Sequence, residues 1–410
     1  MAESQPQPVL TTTCCIVGGG PAGIMLGFLL ARAGIDVTVL EKHADFFRDF
    51  RGDTVHPSTL ELMHELGILD QFLALPHQQI SNFTLVIGGQ SFPIADLSRV
   101  PTHSKFVAVM PQWDFLNFLA AQAARLPNFH LLMQHNAVGL LANEKGRIVG
   151  ARAETPNGPV EIHATLTVAC DGRHSLMRAD AELPLRETGV PIDVLWFHLP
   201  RHPTDPSNFI GNVNYGTFAV LIARNDYFQC AFIIKKGTFS THVQPAGLDA
   251  FRARIARLVP FLADRISELT SWDQVKLLTV QINHLTRWHL PGFLAIGDAA
   301  HAMSPVGGIG INLAIQDAVA AARILTPPLR TGYVSEMDLA HVQHRRQLPT
   351  RLTQAFQVFA HKQLSRTLGN PAPVTPPRIL RFLSSQPLFR RLTARFIAVG
   401  LRPEHISTSH

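Results

Sequence analysis

The segment from Thr13 to Lys42 constrains this chain most. Thr13–Val17 is a short apolar run that predicts a buried strand, Pro21–Ala33 predicts a helix, and Asp36–Leu40 predicts a second strand. Strand, tight turn, helix and strand open a βαβ unit, which commits the chain to a parallel sheet. The turn reads Gly18-Gly19-Gly20-Pro21-Ala22-Gly23, with Gly18, Gly20 and Gly23 in GxGxxG spacing. The first glycine permits the turn, the second lets a pyrophosphate approach the backbone, and the third lets helix and strand pack closely. A phosphate there meets the unpaired N–H groups at the helix start, around Pro21 and Ala22. Glu41 follows the second strand, 23 residues beyond Gly18, and is placed to accept hydrogen bonds from an adenosine ribose, with Lys42 beside it. The reading is a dinucleotide site; the alternative is a glycine turn that serves packing alone.

GxGxxG does not separate NAD from FAD. A second motif about 280 residues later does. Gly297-Asp298-Ala299-Ala300-His301 follows the apolar strand Gly292–Ile296, and Pro305 and Gly307-Gly308-Ile309-Gly310 then open another helix. An aspartate at a strand end suits the hydroxyls of a ribityl chain. The N–H groups of Gly310, Ile311 and Asn312 would point at the pyrimidine edge of a flavin. That edge becomes negative on reduction, so a helix N-terminus favours the reduced state. With Asp171-Gly172 between the two motifs, the chain reads as holding one large cofactor, FAD, on three separated loops. The alternative for the second motif alone is an ordinary strand–turn–helix with a capping aspartate.

The 410 residues, 46% of them hydrophobic, suffice for one large or two medium domains with a true core. Between the motifs we expect a helix at Pro57–Leu66 and a hairpin of Phe83–Ile87 with Ser91–Ala95. A strand at Phe106–Met110, a helix at Pro111–Arg125, and strands at His130–Gln134, Ile148–Glu154 and Val160–Ala169 follow. Residues 190–236 change character to aromatic, turn-punctuated strands at Val194–Leu199, Tyr215–Ala223 and Tyr227–Lys235, with a helix near Leu248–Leu258. Helices near Ile311–Leu325 and Met337–Leu364 close the body. The fold class is α/β: a Rossmann-like FAD-binding domain, an inserted antiparallel β-sheet substrate domain, and C-terminal helices. The expected partition is 1–182 and 286–366 for the cofactor domain, 183–285 for the sheet, and 367–410 for a Pro-rich linker and a basic amphipathic helix.

No uninterrupted apolar run of about 18 residues occurs, so no spanning helix is expected. The N-terminus lacks a basic then apolar secretory pattern. Cys14, Cys15, Cys170 and Cys230 show neither CxxC nor metal spacing, and no metal is expected. Four reduced, buried thiols in a cytoplasmic protein is the reading.

The net charge of +6 is uneven: residues 341–410 hold eleven Lys or Arg and the single acid Glu404, a net +10 that leaves −4 elsewhere. The cofactor body is therefore not basic, and nucleic acid is not an expected partner. Leu388, Leu392, Phe396 and Val399 form one helical stripe, with Arg390, Arg391 and Arg395 off it and Arg378 and Arg381 preceding. We expect this helix to dock across the two domains. The alternative is peripheral contact with an anionic membrane.

The three motifs in this order resemble the class A flavoprotein monooxygenases, the family of para-hydroxybenzoate hydroxylase, over about residues 11–365. The central motif reads Cys170-Asp171-Gly172-Arg173-His174-Ser175-Leu176-Met177-Arg178, which matches the family's downstream Ser and Arg. The resemblance implies FAD as cofactor, NADPH or NADH and O2 as co-substrates, and hydroxylation of an aromatic or heteroaromatic small molecule through a flavin C4a-hydroperoxide. It gives Asp171 and Arg178 contacts to FAD and to the nucleotide's pyrophosphate, Arg51 and Gln112 contacts along the FAD, and Pro305 a carbonyl at the reaction site.

The cofactor carries the hard chemistry, so no acid–base residue is named, and His301 is read as a motif residue. Substrate is expected between the flavin and the 190–236 sheet, with His56, Tyr215, Tyr227 and Phe228 as candidates. For the aromatics the competing reading is sheet core. Rival functions are a reductase, oxidase or halogenase on the same fold, or a flavoprotein without turnover. The chain lacks a WxW pair, against the halogenase, and keeps Asp171, Arg178 and Asp298, against the inert protein. Monomer and homodimer both remain open.

Overall fold

A computed structural model describes residues 8–47, 54–206 and 209–406. Arg51 lies outside them. The fold is mixed α/β. Its larger sheet has eight strands among the described residues, and a parallel set forms its middle. Phe129–Met133, Val37–Glu41, Val9–Val17, Gly158–Ala169 and Phe293–Ala295 lie side by side in that order. The register sets Val17 beside Leu40 and Ala169, and Ala169 beside Ala295. Cys14–Val17, Val37–Glu41, Leu166–Ala169 and Phe293–Ala295 are buried at every position, because both faces of the sheet are covered there. Helices Pro21–Arg32, Gln112–Ala123 and Gly310–Arg330 share the core with them.

By length and composition Gly310–Arg330, with the turn before it, could cross a membrane, but 72% of its apolar window is buried inside the fold. It is a core helix, packed against Pro21–Arg32 on one side and Glu336–Thr367 on the other. The latter starts on a capping box in which Ser335 Oγ accepts from Asp338 N at 3.2 Å and Asp338 accepts from Ser335 N at 2.9 Å. All four cysteines are free and buried. Burial pushes their thiols up, so they are packing groups and poor nucleophiles.

The second sheet has seven strands among the described residues, in the order Lys276–Leu278, Ile192–Pro200, Tyr227–Lys235, Thr217–Ala223, Phe209–Asn214, Asn82–Ile87 and Gln90–Asp96. Two features depart from expectation. The hairpin 82–96, assigned from sequence to the first cofactor segment, belongs to this sheet through a parallel pairing of Asn82–Ile87 with Phe209–Asn214. That bridging strand, with Gly211, Asn212 and Asn214, is rich in poor strand formers, and the sequence pattern missed it. The strand expected from Tyr215 begins at Thr217, because Tyr215 (φ 48°) and Gly216 (φ 66°) form a two-residue hairpin turn.

The C-terminal segment straps the two sheets. Gly369 N donates to Gly216 O at 2.8 Å, and Val374 N to Asn214 Oδ1 at 3.0 Å, so the Pro-rich stretch lies along the second sheet. Helix Pro387–Ala398 then docks by only the C-terminal half of its expected stripe, with Phe396 against Met303, Ile309 and Leu313 and Val399 beside Ala394 and Ala398. Ala394 and Ala398 are buried in a cluster with Ala95, Leu97, Val100, Val107, Val109 and Ile222, while Leu388 and Leu392 stay 67% and 59% exposed. The small residues let the helix axis come close to the strand ends; leucines at those positions would hold it away.

Candidate functional site

The parallel strands end on one edge, and each of the sequence motifs follows one of these ends. Gly18–Gly23 follows Val17, Glu41 closes Val37–Glu41, Asp171-Gly172 follows Ala169, and Gly297-Asp298 follows Ala295 and Ile296. Ligands of open parallel sheets bind at this carboxyl edge. The third loop, Pro305–Asn312, meets the same edge through the core helix that it opens.

The glycine turn fits a pyrophosphate. Gly18 has φ +109°, and a Cβ on it would stand 2.4 Å from Cys170 O. A Cβ on Gly23 would stand 1.9 Å from Gly18 O, so only glycine allows helix and strand to close. A Cβ on Gly20 would meet nothing within 4 Å: this face of the turn is open. Pro21 occupies the first helical position, and no side chain caps this helix, which leaves the N–H groups of Ala22 and Gly23 for a ligand. Glu41 is buried and braces the turn: Oε2 accepts from Gly19 N at 3.0 Å and Oε1 from His43 N at 3.0 Å. A carboxylate has further acceptor positions for a ribose. Lys42 is exposed beside it.

The other two loops are tied to each other. Arg178, which the resemblance assigns to the nucleotide pyrophosphate, is buried. Its guanidinium donates to Ala299 O at 3.0 Å and to Arg173 O at 2.9 Å. It therefore clamps the Asp171 turn to the Asp298 turn and does not face outward. Asp171 accepts from Met177 N at 3.1 Å through Oδ2, while its Oδ1 is buried without a partner, an acceptor left for a polar group of a cofactor. Burial raises the Asp171 carboxyl above its ordinary value, against the hydrogen bonds from Ser175 and Met177 that lower it. The Asp298 side chain is 32% exposed on this edge, 3.6 Å from the Arg173 guanidinium. Its donor set and openness suit ribityl hydroxyls. Gln112 opens its helix half-buried, and no side chain caps that helix.

The Pro305–Asn312 loop is held by side chains that sequence reasoning missed. Gln357 accepts from Ser304 N at 3.1 Å and donates to Ser304 O and Val306 O, both at 3.0 Å. The His361 ring meets Ser304 Oγ at 2.8 Å. Pro305 O accepts from Gly308 N at 3.0 Å, so one lone pair of the carbonyl expected at the reaction site is engaged in the turn. Asn312 Oδ1 accepts from His56 N at 3.0 Å and Thr59 Oγ1 at 2.7 Å, which joins the loop to helix Pro57–Glu65. Gly310, Ile311 and Asn312 are the first residues of the core helix, so their N–H groups precede its hydrogen-bond ladder.

Beneath the loop lies a buried ion network. Asp317 accepts from Gly297 N at 3.1 Å, pairs with His301, and takes Arg346 Nε at 2.9 Å. Arg346 also reaches Glu404, which pairs with Arg345 and Arg323. Burial works to raise the Asp317 carboxyl, but His301 and Arg346 together hold it below its usual range. His301 is thus a partner in this network, in keeping with its reading as a motif residue. Two signals in the sequence pointed here. Asp317 interrupts an apolar helix, and Glu404 is the lone acid in the basic C-terminal stretch; both demand buried partners.

Of the four substrate candidates, His56 alone lies at this loop. It is buried, its Nδ1 is 2.7 Å from Ile397 O, and burial brings it down to about 4, so the ring is neutral at ordinary pH. Phe228 belongs to the sheet core on the opposite face, against Phe261. Tyr215 sits in a hairpin turn under the Arg257 guanidinium, 3.8 Å from its ring centroid. Tyr227, the first residue of its strand, makes a tilted ring contact with His198, 4.7 Å between centroids. The competing reading of these aromatics, sheet structure, therefore holds. The sheet face turned toward the C-terminal helix instead carries Phe83, Trp196, Phe209, Val220 and Ile222. These residues lie on four strands, and no local pattern connects them.

The FAD binding domain family matches residues 11–355. The chain is 31% identical to 6-methylpretetramide 4-monooxygenase of Streptomyces rimosus, over 95% of this chain and 92% of that protein. It is 27% identical to rifampicin monooxygenase of Rhodococcus hoagii, over 94% and 78%. Among solved structures its fold matches pqsL, a probable FAD-dependent monooxygenase from Pseudomonas aeruginosa, with a TM-score of 0.75 at 20% identity, over 87% of this chain and 97% of that one. The chain belongs to this FAD-binding family, and within it to the class A flavoprotein monooxygenases.

Proposed function

We propose that the protein is a monooxygenase that uses FAD, NAD(P)H and O2 to hydroxylate an aromatic or heteroaromatic small molecule. The observation that carries this reading is the meeting of Gly18–Gly23, Glu41, Asp171, Asp298 and the Gly310–Asn312 helix start on one sheet edge. Bound FAD supplies the electron storage and oxygen activation. The chain supplies the rest. Gly20, Ala22 and Gly23 hold the pyrophosphate, Glu41 the ribose, Asp298 the ribityl chain, and the amides of Gly310, Ile311 and Asn312 the pyrimidine edge. The second sheet and the C-terminal helix keep water from the reacting face. His56, neutral and hydrogen-bonded to Ile397 O, positions that helix and is not a general base.

Stopped-flow absorbance of the FAD-loaded protein tests the reading. The protein is mixed anaerobically with NADPH or NADH and one member of a substrate panel, and oxygen is then admitted. The panel includes 6-methylpretetramide and rifampicin, which the relatives' names supply, together with simple phenols, quinolones and quinone precursors. Substrate-accelerated bleaching followed by product carrying one atom of labelled oxygen is the expected outcome. Rapid bleaching that yields only hydrogen peroxide or a reduced product replaces the hydroxylase with an oxidase or reductase.

A further inference from the structure

The NAD(P)H proposed above carries phosphates that guanidiniums recognise, and Arg178 is not available to them. Its guanidinium is buried and bonded to two backbone carbonyls. A different set of cations stands open. Between the turn that follows Gln90–Asp96 and the helix Pro387–Ala398 lies a cavity of about 380 Å³, lined by Arg99, Arg390, Arg391 and Arg395 with one acid, Asp96. Its size falls within the roughly 300–1,000 Å³ of small-molecule pockets. Among the described residues, none of these four guanidiniums makes a hydrogen bond or an ion pair, and Arg390 Nε is buried without a partner. Asp96 is held low chiefly by hydrogen bonds from Ser98, with Arg390 and Arg99 adding to the effect. It stays ionised and offsets one of the four positive charges. Val100 and Ala394 give the cavity apolar wall.

Position also matters. The helix that carries Arg390, Arg391 and Arg395 carries Ile397, whose carbonyl meets His56 beside the Gly308–Asn312 loop. Arg391 and Ile397 are six residues apart, about 9 Å along the helix axis at 1.5 Å per residue. A ligand lying along this helix can place phosphates at the arginines and its other end near the flavin-facing loop. We propose that this cavity receives the phosphate groups of the reduced pyridine nucleotide, a reading that rests on the NAD(P)H dependence proposed above. Planar guanidiniums pair with phosphate oxygens in bidentate fashion, and several of them converging on one cavity select a multiply charged anion.

The test uses full-length FAD-loaded protein and two single variants from opposite walls of the cavity, Arg99→Gln and Arg391→Gln. Both residues are exposed, so folding is not at issue. Calorimetric titration with NADP+, NAD+ and pyrophosphate reads binding directly, and anaerobic flavin reduction reads half-saturating NADPH and the limiting rate. Each substitution is expected to weaken binding of the preferred nucleotide about tenfold and to raise its half-saturation in parallel, with the limiting rate unchanged. The control Arg378→Gln/Arg381→Gln removes two cations outside the cavity and is expected to bind as the parent does.

Unchanged nucleotide affinity in both single variants overturns the proposal, as does an equal loss in the control, which would mean general surface charge. Pyrophosphate binding that nucleotide does not displace overturns the nucleotide assignment. So does capture by phosphatidylglycerol vesicles that the variants lose while nucleotide affinity holds; that outcome gives the arginines to a lipid headgroup. If neither NADPH nor NADH reduces the flavin, the proposed function fails, while nucleotide binding by calorimetry still decides the site.

Discussion

The two glycine-bearing loops of the cofactor edge are built by opposite means. Gly18–Gly23 is held by backbone approaching backbone, with Gly18 against Cys170 O and Gly23 against Gly18 O, and one carboxylate, Glu41, as brace. The stretch Gly297–Asn312 is held by side chains: Gln357 and His361 reach Ser304 from one helix, and Asp317, paired with Arg346, holds Gly297 and His301. The first loop is rigid because there is no room to be otherwise. The second is rigid only while a set of buried polar groups remains mutually satisfied. A site can therefore pair a sterically fixed anchor for the cofactor's phosphates with an electrostatically fixed anchor for its reactive ring.

Breaking the electrostatic loop should cost most. Asp317→Ala takes one of two carboxylates from the buried Arg346, strips His301 of its partner and leaves Gly297 N without an acceptor, and should destabilise the protein by about 3–5 kcal/mol. Urea unfolding measures this; a loss below about 1 kcal/mol would mean that the network is not the loop's support.

Acid should attack the same loop and spare the other. Burial holds both His56 and His361 down to about 4, below the ordinary imidazole value of about 6.5. Between those values the unfolded chain binds more protons than the folded one, so stability falls as pH drops from about 6.5 toward 4. Each histidine adds a slope of up to about 1.4 kcal/mol per pH unit. Thermal melts across this range should show the loss, and His361→Gln should flatten it; an unchanged slope removes His361 from the account.

Crowding the steric loop comes next. Gly23→Ala puts a methyl into Gly18 O and should cost about 1–3 kcal/mol, with FAD lost on gel filtration. Retained FAD at parental stability would show that the helix can slide, and the contrast between the loops would fail. Asp298→Ala is the mildest for the fold: the side chain is partly exposed, so the stability of the apoprotein should move by no more than about 0.5 kcal/mol while FAD binding is lost. Full flavin occupancy in that variant would release Asp298 from its assigned role.

This contrast also sets what the sequence could reveal. The steric loop is local: three glycines, an adjacent strand and helix, and an acid at a fixed spacing carry it, and Thr13–Glu41 folds as read. The second motif was recognisable by its aspartate and glycines, but its support was not. Gln357, His361 and Arg346 lie on a helix whose pattern gives no hint of what they hold. The hairpin 82–96 was seen as a hairpin and placed in the wrong sheet, because Gly211, Asn212 and Asn214 break the β signature of its partner strand Phe209–Asn214. Arg178 matched its motif, yet only the fold shows its guanidinium turned inward. Of the proposed substrate aromatics, alternation along a strand could not say which face looks toward the cofactor edge.

The Glu404 carboxylate, joined to Arg346 and through it to Asp317, is made after every other group in this network. The groups that fix the steric loop thus lie within residues 18–170, whereas the charge network spans residues 297–404 and is completed by the last acid of the chain.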